Sequence, residues 1–164
     1  ATVNEAKTAA YYEKLIERNQ KDYSAYYRIG QAYQSNGKID NAKKFLEPGE
    51  KLARGAIDAN TRDPRPHIYR ALFLTRLGDP TGDWEKEVNT ATDLASNEAE
   101  VFFRKANVYA IQKKKTEALA ALKRALELDY TFSEILNADF SQISREPEFQ
   151  ATIVRPIKQA DLDQ

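Results

Sequence analysis

The sequence predicts an all-helical protein built from paired helices, and three observations predict it. Apolar residues recur at helical spacing from one end of the chain to the other. No segment shows the two-residue alternation of a half-buried strand. Only six Gly and six Pro punctuate 164 residues of which 30% are charged, a composition that suits helices joined by short connectors.

The elements follow in order. Ala9, Tyr12, Leu15 and Ile16 make the first apolar stripe. Tyr26, Ile29, Gly30 and Tyr33 make the second, ended by the turn SNGK. Ala42, Phe45, Leu46, Leu52, Ala53, Ala56 and Ile57 stay in phase across Pro48–Gly49, which predicts one long helix from about Ile39 to Ala59, kinked at that pair. The rival reading is two short helices meeting there. RDPRP breaks the chain before Ile68, Ala71, Leu72 and Leu74. LGDPTGD is a turn that places Pro80 at or near a helix start, and Trp84, Val88, Ala91 and Leu94 come after it. Val101, Phe102, Ala106 and Tyr109 form the next stripe, and Ala118, Leu119, Leu122, Ala125 and Leu126 the one after.

Composition removes several function classes. Lys plus Arg and Asp plus Glu each number 25, so no global field draws in nucleic acid or an anionic membrane. No apolar run approaches the ~20 residues that span a bilayer. With no cysteine there are no disulfides, thiolate sites or cysteine nucleophiles. His67 is the only histidine, so no His/Cys metal cluster can form, and its expected role is packing. In DPTGDWEKE, Asp79, Thr81 and Asp83 have tempting spacing for calcium. Gly82 and Thr90 stand at the wrong positions for such a loop, so the stretch reads as a turn. No phosphate-binding glycine loop or nucleophile elbow is present. Lys113–Lys115 reads as a solvated turn. These residues assemble no enzyme, cofactor or metal site.

The helices repeat as pairs. Gly30, Ala71 and Ala106 each carry a ring four residues before (Tyr26, His67, Phe102) and Tyr33, Leu74 or Tyr109 three residues after. A small residue there lets a second helix cross closely. This pattern resembles the tetratricopeptide repeat, a helix-turn-helix unit of about 34 residues. AEVFFRKANVYAIQKKKTEALAALKRALELDY is the best copy, with Lys113 at the usual turn glycine. AYYRIGQAYQSNGKIDNAKKFL opens another, and the copy around Arg70 and Trp84 departs furthest. The resemblance implies a right-handed α-solenoid: a half repeat at 3–19, repeats at 23–60, 64–96 and 99–130, and a capping segment at 131–160. The first repeat interval, Gly30 to Ala71, is 41 residues, longer than the period by about two helical turns. The tail resembles closing segments of bacterial multidomain proteins, with a last helix opening at Glu146-Pro147 and turning Phe149 and Ile153 inward.

The resemblance also implies a protein-interaction module that holds a partner peptide or helix in a concave groove. Its groove positions fall on Ser24, Tyr27, Gln31 and Gln34, on Arg65, Ile68, Leu72 and Thr75, and on Glu100, Phe103, Asn107 and Ala110. Tyr27 and Phe103 either pack between helices or line that groove as an aromatic trough. Repeats that clamp acidic chaperone tails carry Lys, Asn and Arg at positions where this chain has Tyr27, Gln31, Tyr69 and Glu100; only Arg104 fits and Glu100 would repel a carboxylate, so no such tail is an expected partner. The alternative function is a spacer or oligomerisation domain of a larger bacterial protein, self-associating through the N-terminal half repeat. The absence of Met at position 1 leads us to expect a processed or excised chain. Its compartment stays open between the cytoplasm and, after removal of a signal segment, the periplasm.

Overall fold

A computed structural model describes residues 3–130, 138–141 and 143–153, and every described element is helical. The helices are α1 (Val3–Arg18), α2 (Tyr23–Ser35), α3 (Ile39–Ala59), α4 (Pro64–Leu77), α5 (Asp83–Leu94), α6 (Ala99–Ile111) and α7 (Lys115–Glu127). A 3₁₀ turn at Ala138–Phe140 and a helix over 147–153, α8, follow. The expected cap at 131–160 lies partly outside the described residues. The chain divides into two compact units, Ala1–Leu94 and Ala95–Gln164.

In the first unit α2 pairs with α3 and α4 with α5, while α1 packs on α2 and α4 also packs on α3 and α2. In the second unit α6 pairs with α7, and the 3₁₀ turn lies on α6. The fold class is therefore all-α, a helical-repeat architecture.

Each pair turns in the same way. Gly37, Gly78 and Lys113 stand at equivalent places and all adopt a left-handed backbone, with φ of 74°, 72° and 58°. The next amide reaches back across the helix end in each case: Lys38 to the Tyr33 carbonyl, Asp79 to Leu74 and Lys114 to Tyr109, at 2.9, 3.0 and 2.9 Å. This is the Schellman arrangement, which satisfies carbonyls left over at a helix C-terminus. Glycine adopts it without a Cβ clash, whereas Lys113 adopts it under strain of roughly 1 kcal/mol. Lys113→Gly is expected to raise the thermal midpoint by about 2–4 °C for a chain of this size. A scan showing no rise, or a fall, would contradict that account of the turn.

The long helix forms as one uninterrupted element across Pro48. Proline removes the donor that would meet the Lys44 carbonyl. Pro48 and Lys44 are both exposed, so water can satisfy that carbonyl. Gly49, by contrast, is buried. A Cβ built there would fall into the Phe73 ring and against Cβ of Tyr26, so this glycine is where α4 and α2 approach the α3 backbone. The Pro-Gly pair is thus a packing device with a solvent side and a core side.

The second unit closes around Phe103, Leu122, Phe140 and Phe149, all fully buried, with Ile153 packed against them. Lys115 pairs with Glu146 and lies 3.4 Å from Glu148, tying the start of α7 to the start of α8. The Glu148 backbone amide, and then the Lys115 ammonium, hold its carboxyl below the usual range.

Candidate functional site

On the first helices of the first unit, the expected groove residues separate into two groups. Tyr27, Ile68 and Leu72 are buried, so they do not form an open aromatic and aliphatic trough. Tyr27 packs edge-on against Tyr69 and Phe73, with ring centroids 5.8 and 5.7 Å away. Burial of the ring between α2 and α4 removes more apolar area from water than a solvent-facing groove position could. Thr75 is buried too and donates to carbonyls of its own helix. Ser24, Gln31 and Gln34 are half-buried, and Arg65 is exposed.

A polar array fixes the edge of this face. Arg76 Nε donates to the Tyr27 hydroxyl at 3.0 Å and Nη1 to Gln34 Oε1 at 2.9 Å. Gln34 Nε2 donates in turn to the Arg76 carbonyl at 2.9 Å. The Arg76 guanidinium also lies 5.3 Å from the Tyr27 ring centre, and that of Arg65 5.7 Å from Tyr69. Such contacts hold planar cations over aromatic faces. Burial pushes the Tyr23 phenol up to about 12, against an opposing pull from Arg65, so it remains a neutral donor at physiological pH. Asp22 and Asp63 cap α2 and α4, accepting from Ala25 and Arg65 amides at 3.3 and 3.0 Å.

In the second unit Phe103 is also buried, stacked on Tyr130 at 4.2 Å and packed against Phe140 at 5.8 Å. Its ring seats Tyr130 and the 3₁₀ turn on α6. Asn107 is buried, and neither its amide nitrogen nor its oxygen has a hydrogen-bond partner among the described residues. Arg104 is buried with Nε 3.8 Å from Glu100, and Glu100 is half-exposed. Ala110 is half-buried.

Sequence reasoning missed one cluster altogether. His67 occupies the aromatic slot as expected, yet its ring is held by charge as well as packing. Nδ1 meets Glu87 at 2.5 Å, and Nε2 faces the Thr61 carbonyl at 3.2 Å. Because a carbonyl only accepts, Nε2 is the donor there. Arg70 pairs with Glu87 through Nη1 and with Glu50 through Nε at 2.9 Å. Burial opposes the charge on Arg70, but hydrogen bonds and attraction from these two carboxylates raise its pKa further. The cluster joins α3, α4 and α5. A sequence signal existed: Glu87 falls one turn before Ala91 on the apolar stripe, where a charge needs a buried partner.

Among the described residues no group of three or more His, Cys, Asp or Glu could hold a metal ion, and no helix is long and apolar enough to cross a membrane. Two family models of the tetratricopeptide repeat match the chain, one over residues 11–44 and the other over 99–132. The first spans the end of α1, all of α2 and the start of α3. The second spans α6 and α7. No curated protein matches the chain.

Proposed function

From the premise that this chain is a tetratricopeptide-repeat protein, we propose that it captures an extended or helical segment of a protein partner along the first helices of its repeats, without covalent chemistry. The repeat family supports an interaction scaffold in general. The observation that carries the finer reading is the Arg76–Tyr27–Gln34 array on α2 and α4. Long polar side chains held by one another lose little rotamer freedom when a partner arrives. Gln31, Gln34, Arg65 and Arg76 offer amide and guanidinium groups suited to a partner main chain, while the rings beneath keep the face rigid. An acidic chaperone tail remains outside this reading, since Tyr27 and Tyr69 are buried where such a clamp would need polar donors.

The test is site-directed photo-crosslinking in extract of the source organism. A photoreactive residue at Gln31 or Arg65 should trap a defined protein, and one at the exposed Lys43 of α3 should not. Equal trapping from all three positions, or trapping from Lys43 alone, would reject the first-helix face. A second reading, self-association through α1, is favoured by Tyr11, which is 60% exposed and stands edge-on to Tyr12 at 5.1 Å. Mass that rises with concentration and returns to monomer in Tyr11→Ser would support it; a constant monomer mass would end it.

A further inference from the structure

One equivalent slot between the paired helices is filled in two of the three repeats and open in the other. In the first, Phe45 of α3 enters it, its ring 5.8 Å from Tyr33 and nearly parallel at 20°, and 6.5 Å from Tyr26. In the second, Glu87 of α5 enters it and pairs with His67. In the third, the residue at the place of Phe45 is Ala121, and the slot stands open. Phe102, Tyr109, Ala120 and Ala121 line it, and the cleft measures about 250 Å³. A cavity of about 150 Å³ already admits a benzene-sized ring.

The charge around this cleft is as informative as its shape. Lys105 Nζ lies 5.9 Å from the Phe102 ring centre and 5.8 Å from that of Tyr109. The Arg124 guanidinium lies 5.7 Å from Phe102. It also reaches the Ser96 carbonyl and Asn97 Oδ1, both at 3.4 Å, and stands 3.7 Å from Glu127. Among the described residues that line the cleft, Lys105 and Arg124 stand beside a single carboxylate, that of Glu117.

We propose that this cleft is a second docking site, which takes an aromatic side chain carried on an acidic segment of a protein partner. The incoming ring occupies in trans the place that Phe45 occupies in cis, against Phe102 and Tyr109. Carboxylates flanking it pair with Lys105 and Arg124, which favours acidic over basic partners. The site uses Phe102, Lys105 and Tyr109, a different face of α6 from Phe103 and Asn107, so it stands whether or not the first-helix reading does.

The probes are three capped tripeptides, Glu-Phe-Glu, Glu-Ala-Glu and Lys-Phe-Lys, titrated into the isotope-labelled full chain and followed by amide shifts. Glu-Phe-Glu should bind with a Kd on the order of 1 mM, with shifts centred on α6 and α7. Glu-Ala-Glu should bind at least ~10-fold more weakly, and Lys-Phe-Lys several-fold more weakly at low salt. Ala121→Phe should fill the slot from within, keep the helical signal and abolish these shifts. Lys105→Glu should weaken Glu-Phe-Glu while improving Lys-Phe-Lys. Equal binding of the phenylalanine and alanine peptides, or undiminished binding in Ala121→Phe, would overturn the proposal. Loss of folding in Ala121→Phe would overturn it as well, because it would show that the slot does not admit a ring. Indifference of both phenylalanine peptides to Lys105→Glu would reject the acidic partner.

Discussion

Gly49→Ala should lower the stability of this protein by about 2 kcal/mol, although it puts a better helix former into the middle of a helix. Helix propensity alone favours alanine over glycine by roughly 1 kcal/mol. The structure sets a larger effect against it. A methyl at position 49 would enter the Phe73 ring and press on Tyr26 Cβ. Phe73 is fully buried and its ring sits 5.7 Å from that of Tyr27, so it has no free direction in which to yield. Overpacking of this kind typically costs ~1–3 kcal/mol, and a rigid ring belongs at the upper end. The thermal midpoint should fall by roughly 4–8 °C. A double-mutant cycle with Phe73→Leu isolates the cause: the smaller side chain should cancel most of the Gly49→Ala loss. A rise in the midpoint of Gly49→Ala would show that α3 and α4 do not approach as described.

The second large effect is expected at Glu87. Glu87→Ala removes the carboxylate shared by His67 and Arg70 and leaves the imidazole facing an empty site. Breaking a buried ion pair by removing one partner costs ~3–5 kcal/mol. Here the loss should be nearer 2–3 kcal/mol, because Arg70 keeps Glu50 and its side chain is 19% exposed, which lets water screen it. Chemical denaturation should show the loss as a lower midpoint with an unchanged slope. The first repeat supplies the rescue. His67→Tyr with Glu87→Phe recreates the Tyr26–Phe45 pair and should recover more than half of the deficit. If Glu87→Ala unfolds at the same denaturant concentration as the parent, the cluster contributes no net stability and its role is positional.

Both predictions sit where sequence reasoning stopped. The helix from Ile39 to Ala59 was legible because two extra turns keep Leu46, Ala53 and Ile57 on one side of a 3.6-residue period. The turns at Gly37 and Gly78 were legible because glycine marks a left-handed backbone, and even Lys113 stood at the glycine place of its copy. What Gly49 touches was not legible. Its partner Phe73 lies 24 residues further along the chain, and periodicity within one helix says nothing about which side chain crosses it.

The expected groove residues divide by the same logic. Tyr27 and Phe103 occupy the right helical positions, yet they are buried because α4 covers the one and Tyr130 and Phe140 cover the other. An aromatic residue on a first helix carries the same local signal whether a neighbour covers it or a partner does. The polar array of Arg76, Tyr27 and Gln34 was likewise invisible, since its members lie 42 and 49 residues apart.

The sequence by itself determined the all-helical class, the pairing of helices, the repeat and the positions of its turns, because these follow from local spacing and from backbone conformations that few residues tolerate. Tertiary structure alone decided which rings are core and which side chains remain for a partner, and how each repeat fills the slot held by Phe45, Glu87 or Ala121. Those outcomes depend on contacts between residues distant in sequence, and burial, unlike periodicity, is a property of the neighbours rather than of the residue.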